Sequence, residues 1–143
     1  MASAALRLFW HAERGDNFTT ATEEGVEGAR EAGYTPVRVE GYVHTVQVPG
    51  TVPLRQYWHP VRQDNYLTAT ETGQEAALEV GYRFVRVEGY VYPVPAPGTV
   101  PLKLYWHTGR RDNFTCASDR ADFDAGAADY RLVRIEGYVH LNP

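Results

Sequence analysis

Five residue types recur together three times in this chain, and as a set they could bind a polyhydroxylated ligand. Trp10, His11, Arg14, Asp16 and Asn17 form the first set; Trp58, His59, Arg62, Asp64 and Asn65 the second; Trp106, His107, Arg110, Asp112 and Asn113 the third. The sets stand 48 residues apart both times, and no gap is needed to align them. A pyranose needs a flat apolar face for its C–H side and a few fixed donors and acceptors for its hydroxyls. An indole supplies the face. Asp offers acceptors, Arg donors and Asn both, so the set can pair with adjacent hydroxyls that each donate and accept. All fifteen are therefore candidate ligand-binding residues, one site per repeat.

The same block also has an architectural reading. Asp and Asn often tie down hairpin turns through side-chain to backbone hydrogen bonds, and the three Trp could fill a barrel interior. Arg14, Arg62 and Arg110 could pair with Glu40, Glu88 and Glu136 as surface ion pairs, which contribute ~0–1 kcal/mol. His11, His59 and His107 would meet only if they pointed at a common axis, and their spacing is no metal motif. Neither a metal nor a cofactor is expected. Catalysis is not expected either: an acid–base or nucleophilic site recruits unlike residues into one asymmetric cleft, whereas these polar groups repeat. Asn17-Phe18-Thr19 and Asn113-Phe114-Thr115 have the pattern of glycosylation sequons; Asn65 is followed by Tyr66-Leu67, so repeat history explains them better. Cys116, where the other copies carry Thr20 and Thr68, reads as a tolerated substitution.

The elements that must position this block follow from patterning. Leu6 to Trp10, Leu54 to Trp58 and Leu102 to Trp106 alternate large side chains and read as strands. A polar connection follows, and Asn17 to Ala21 reads as the return strand of a hairpin. Thr22, Thr70 and Ser118, each followed by an acidic residue, stand where helix N-caps would. Short helices are expected over Glu24 to Ala32, Glu75 to Val80 and Ala121 to Ala128, with Gly33 and Gly81 as left-handed caps. Tyr34 to Val39, Tyr82 to Val87 and Tyr130 to Ile135 read as strands. The Glu-Gly dipeptides at 40–41, 88–89 and 136–137 mark a turn or bulge before a further short strand.

One such copy cannot bury its apolar face alone, whereas three closed around an axis can. The expected fold is mainly β: a pseudo-threefold β-trefoil-like domain with a short helix in each repeat, preferred over a three-bladed ring. The 143 residues make one domain of three repeats, about 1–48, 49–96 and 97–143. A net charge of −4 without a run of Lys or Arg argues against nucleic acid. The single cysteine excludes an intrachain disulfide. No stretch approaches the ~20 apolar residues of a membrane span, and the N-terminus lacks the pattern of a signal peptide. The expected location is cytoplasmic as synthesised, with secretion by a non-standard route as the alternative.

The pattern Leu-x-x-(Phe/Tyr)-Trp-His-x-x-Arg-x-Asp-Asn-(Phe/Tyr), continued by Tyr-x-x-Val-Arg-(Val/Ile)-Glu-Gly-Tyr-Val, resembles a family of tandem repeats of undefined function. Those repeats occur in bacterial cell-wall and secreted proteins and in fungal proteins. The family's first block commonly reads Tyr-Arg-Leu-Tyr-Asn-Pro-x-x-Gly-Asp-His-Phe-Tyr-Thr-Thr. This chain departs from it with His11, His59 and His107 where Asn is usual, and Asn17, Asn65 and Asn113 where His is usual. The resemblance implies a binding role toward glycans and supplies no catalytic residues. The function expected is that of a multivalent carbohydrate-binding lectin whose partners are glycans or glycoconjugates. A protein-binding or protease-inhibitor-like trefoil using an unrepeated loop is the alternative.

Overall fold

Each repeat folds as strand, strand, helix, strand. The computed structural model describes residues 2–143. The first repeat comprises β1 (Ser3–His11), β2 (Asp16–Thr20), α1 (Glu23–Glu31) and β3 (Thr35–His44). The second comprises β4 (Val52–His59), β5 (Asp64–Thr68), α2 (Glu71–Val80) and β6 (Arg83–Val91). The third comprises β7 (Thr99–His107), β8 (Asp112–Cys116), α3 (Asp119–Ala127) and β9 (Arg131–His140). The protein is thus mainly β, with nine strands and three short helices among the described residues. None of these helices is long and apolar enough to cross a membrane.

The caps explain why the helices start where they do. The side chains of Thr22, Thr70 and Ser118 accept hydrogen bonds from the backbone N–H of Gly25, Gly73 and Ala121, satisfying one orphan donor of each first turn. All three helices begin earlier than the apolar pattern indicated, α2 at Glu71 rather than Glu75, because the cap fixes the boundary.

Three strands per repeat form instead of the four expected. The last strand runs unbroken through the Glu-Gly dipeptide, which is a bulge within it. Pairing of β1 with β3 jumps from Leu6↔Gly41 to Arg7↔Val39, leaving Glu40 as the extra residue. The jump recurs at Leu54↔Gly89 to Arg55↔Val87 and at Leu102↔Gly137 to Lys103↔Ile135. Glycine is required there by close approach between repeats. A Cβ on Gly89 would stand 2.6 Å from Val43 Cγ2 and 2.9 Å from the His44 carbonyl oxygen.

Within a repeat the strands are antiparallel, with β1 between β2 and β3, β4 between β5 and β6, and β7 between β8 and β9. β3 joins β6 through His44↔Tyr90 and β9 through Tyr42↔His140, which links all nine into one antiparallel sheet. The shared core draws equivalent residues from each copy: Leu6, Leu54 and Leu102 with Val43, Val91 and Val139, joined by Leu67. Smaller clusters lie under each helix, such as Phe9, Phe18, Ala29 and Tyr34. The helices sit close on β2, β5 and β8: a Cβ on Gly25 would meet Thr20 Oγ1 at 1.8 Å, and one on Gly73 would meet Thr68 Oγ1 at 1.8 Å. The third repeat carries Ala121 and Cys116 at these two places. The substitution at Cys116 therefore goes with a second one opposite it.

Candidate binding clefts

The repeated block divides into an inner and an outer half. Successive side chains of a strand point to opposite sides, so the neighbours Asp16 and Asn17 reach different repeats. Asn17 donates from its backbone N–H to Asp112 Oδ1 (3.0 Å) and from its side-chain amide to Asp112 Oδ2 (2.7 Å). Asn65 makes the same pair of bonds to Asp16, and Asn113 to Asp64. Each aspartate also accepts the hydroxyl proton of a tyrosine of its own repeat, Tyr34 on Asp16, Tyr82 on Asp64 and Tyr130 on Asp112. The ring is closed: every repeat gives a carboxylate to one neighbour and takes one from the other.

These three aspartates are each 1% exposed. One oxygen from each lies within 4.8 Å of the others. Burial pushes all three carboxyls above the ordinary carboxylate range, and the charges of their fellow aspartates add to this for Asp64 and Asp112. As a cation site the cluster has the right atoms, yet its oxygens are already engaged by the Asn and Tyr donors. Asp16, Asp64 and Asp112 thus face the shared centre, and their partners are amides of a neighbouring repeat's strand and hydroxyls of the tyrosines that lead into β3, β6 and β9, not their own hairpin turns.

The histidines serve the turns. His11, His59 and His107 accept through Nδ1 from the backbone N–H of Arg14, Arg62 and Arg110 at 3.0–3.1 Å. Each ring also packs edge-on against Tyr34, Tyr82 or Tyr130, with centroids 4.9–5.0 Å apart. They do not converge on an axis.

The outer half lies between repeats. Trp10, Trp58 and Trp106 are half-buried, not sealed inside. Over each lies an arginine of the neighbouring repeat: Arg110 over Trp10, Arg14 over Trp58 and Arg62 over Trp106, at 5.1–5.6 Å from the ring centroid. The same guanidiniums lie 5.7–5.8 Å from Tyr130, Tyr34 and Tyr82 and donate weakly to those hydroxyls at 3.3–3.5 Å. Each Trp–Arg pair lines a cleft together with an Asn of the block. The volumes are about 250 Å³ at Trp10, 280 Å³ at Trp58 and 240 Å³ at Trp106. Both amide hydrogens of each Asn go to Asp and Tyr, which leaves the amide oxygen as the free acceptor.

Two groups escaped the sequence reading. Tyr34, Tyr82 and Tyr130 hold the inner and outer halves together, accepting from Arg and Asn while donating to Asp. Their signal was present, since each tyrosine follows its aspartate by 18 residues in every copy. Glu40, Glu88 and Glu136 are buried rather than on the surface, and their ionic partners are Arg38, Arg86 and Arg134, not Arg14, Arg62 and Arg110. Each glutamate also grips the start of a neighbour's helix. Glu88 accepts from Thr20, Thr22 and the backbone of Ala21, and Glu136 from Thr68, Thr70 and Ala69. Glu40 accepts from Ala117 and Ser118, and Cys116 offers it no hydroxyl.

The sequence matches, over residues 4–140, the family described as Domain of unknown function (DUF5648). The chain belongs to that family. The matched residues take in all three clefts and the whole aspartate ring. No curated protein and no solved structure matches the chain.

Proposed function

We propose that this protein is a carbohydrate-binding lectin with up to three related sites, one at each cleft between repeats, and that its repeats close in a pseudo-threefold, trefoil-like manner. The observation that carries the reading is the threefold recurrence of a half-open cleft with the same furniture: an indole, a guanidinium and a free amide oxygen. Folding alone requires the aspartate ring and the histidine turns, but it does not require a partly exposed tryptophan three times. The likeness to tandem repeats of cell-wall and secreted proteins favours a glycan as ligand. The ligand-contacting residues in this proposal are Trp, Arg and Asn; His holds the turn and Asp holds the Asn in place.

Open clefts of this size suit weak binding, about −4 kcal/mol for a millimolar site. Three on one rigid body facing a multivalent glycan raise avidity by ~10²–10⁴. The test is a glycan array, with red-cell agglutination inhibited by a simple sugar as the second readout. Binding that is lost in a Trp10→Ala, Trp58→Ala, Trp106→Ala variant with an unchanged circular dichroism spectrum supports the lectin; binding that survives it refutes the site.

An asymmetric feature favours a second reading, a protein-binding domain using unrepeated surface. A cleft of about 570 Å³ in the first repeat is lined by Arg7, Phe9, Val26 and Arg30 among others. At the corresponding place in the third repeat, Lys103 and Tyr105 both reach Asp122. Replacing Val26 by Asp distinguishes the readings, because only this second one predicts a loss of partner binding.

A further inference from the structure

The arginines of the clefts say which glycans fit. Six carboxylate contacts to basic side chains form among the described residues, and none involves Arg14, Arg62 or Arg110. Nine of the 14 Lys and Arg side chains make no such contact, and among these nine Arg14, Arg62 and Arg110, repeated at 48-residue intervals, are the ones set over an indole in a cleft. Each lies between the indole of one repeat and the phenol ring of another, and its one side-chain hydrogen bond, to a tyrosine hydroxyl, is long. A guanidinium has five N–H donors in a planar fork, so most of the fork remains free. Stacking on the indole keeps the guanidinium at the cleft, beside the ring edge that stays open to a sugar.

We infer that the clefts select acidic saccharides, with the carboxylate of a uronic acid received by the free fork of Arg14, Arg62 or Arg110. A planar carboxylate can take two parallel N–H bonds from a guanidinium, the geometry that makes Arg–carboxylate recognition strong and directional. The sugar's hydroxyls are left for the amide oxygens of Asn65, Asn113 and Asn17. The three clefts are not equal. Asp124 also lines the one at Trp10, where it is paired to Arg38 at 2.6 Å and to Arg120 at 3.1 Å. Held between two guanidiniums, that carboxylate is neutralised, and it narrows the cleft at Trp10 with a side chain where the other repeats carry Gly28 and Ala76.

This inference rests on the lectin reading, and the test separates the two. Titration calorimetry compares a uronic-acid oligosaccharide with the same oligosaccharide after reduction of its carboxyls to alcohols. The acidic form is expected to bind at least ~10-fold tighter, with an advantage that shrinks as salt is added. That advantage is expected to vanish in an Arg14→Gln, Arg62→Gln, Arg110→Gln variant; should the triple variant not fold, Arg62→Gln alone removes part of it. Equal binding of both forms overturns the inference and leaves the lectin standing. Tighter acidic binding that the variant retains overturns it as well, by placing the cation elsewhere. Binding of neither form overturns the lectin reading and the inference with it.

Discussion

The centre of the molecule and its three clefts are built from the same repeated stretch and do opposite things. At the centre Asp16, Asp64 and Asp112 are 1% exposed and engaged by amides and hydroxyls. A few residues away Trp10, Trp58 and Trp106 are half open, and the arginines over them lack a carboxylate. Repetition alone therefore does not distinguish what folding needs from what a ligand needs. Burial and hydrogen-bond accounting do.

The sharpest way to break this contrast is to remove the central acceptors. Asp16→Ala with Asp64→Ala and Asp112→Ala strands the Asn N–H groups and Tyr hydroxyls, each stranded buried group costing ~1–3 kcal/mol. Nine such donors meet the three aspartates, a summed cost of ~9–27 kcal/mol against a typical domain stability of ~5–15 kcal/mol. The triple variant should be unfolded by circular dichroism at room temperature. A folded triple variant would mean that the centre is not what holds the repeats. The triple Trp→Ala variant should behave oppositely, staying folded with a lower melting temperature while losing the ~10²–10⁴ avidity gain in an agglutination assay.

A smaller effect tests the coupling under the third helix. Cys116→Thr would bring a hydroxyl toward Glu40, but in the rotamer of Thr20 it collides with the Cβ of Ala121. The single change should therefore destabilise by ~1–3 kcal/mol, and Ala121→Gly added to it should recover stability. Denaturant melts of the four-member cycle should give a coupling of about 1 kcal/mol or more; additive changes would refute the pairing.

The gentlest probe is pH. The aspartates titrate above their unfolded value, so the folded state binds more protons than the unfolded one between the two values. Their contribution is greatest below about pH 4 and is lost as pH rises through the raised folded values. The melting temperature should fall as pH is raised above the ordinary carboxyl value of about 4, and the fall should be shallower in Asp64→Asn, where one charge is absent. An identical slope in that variant would mean that the ring does not titrate as described.

Much of the architecture was legible because its causes are local. Thr22, Thr70 and Ser118 cap the helices they were expected to cap, and the Glu-Gly bulge falls where the dipeptide stands. The partners of the polar block were not legible. Asn17 bonds to a residue 95 positions away and Asn65 to one 49 away, and in a tandem repeat every spacing between copies looks like homology before it looks like contact. Glu40, Glu88 and Glu136 were misplaced for a related reason: charge suggests surface, whereas their acceptor oxygens are needed inside by a neighbour's helix cap. The Arg38–Glu40 pairing, two apart on one strand, was open to a reading of local spacing alone.

The circuit of Asn-to-Asp bonds returns to its starting point within a single chain. Every unit carries both the plug and the socket of one joint, and the last unit's plug fills the first unit's socket, so none is left vacant. Severing the chain at both linkers, Pro49-Gly50 and Pro97-Gly98, would cut none of these joints, so a chain nicked there is expected to stay together as three pieces.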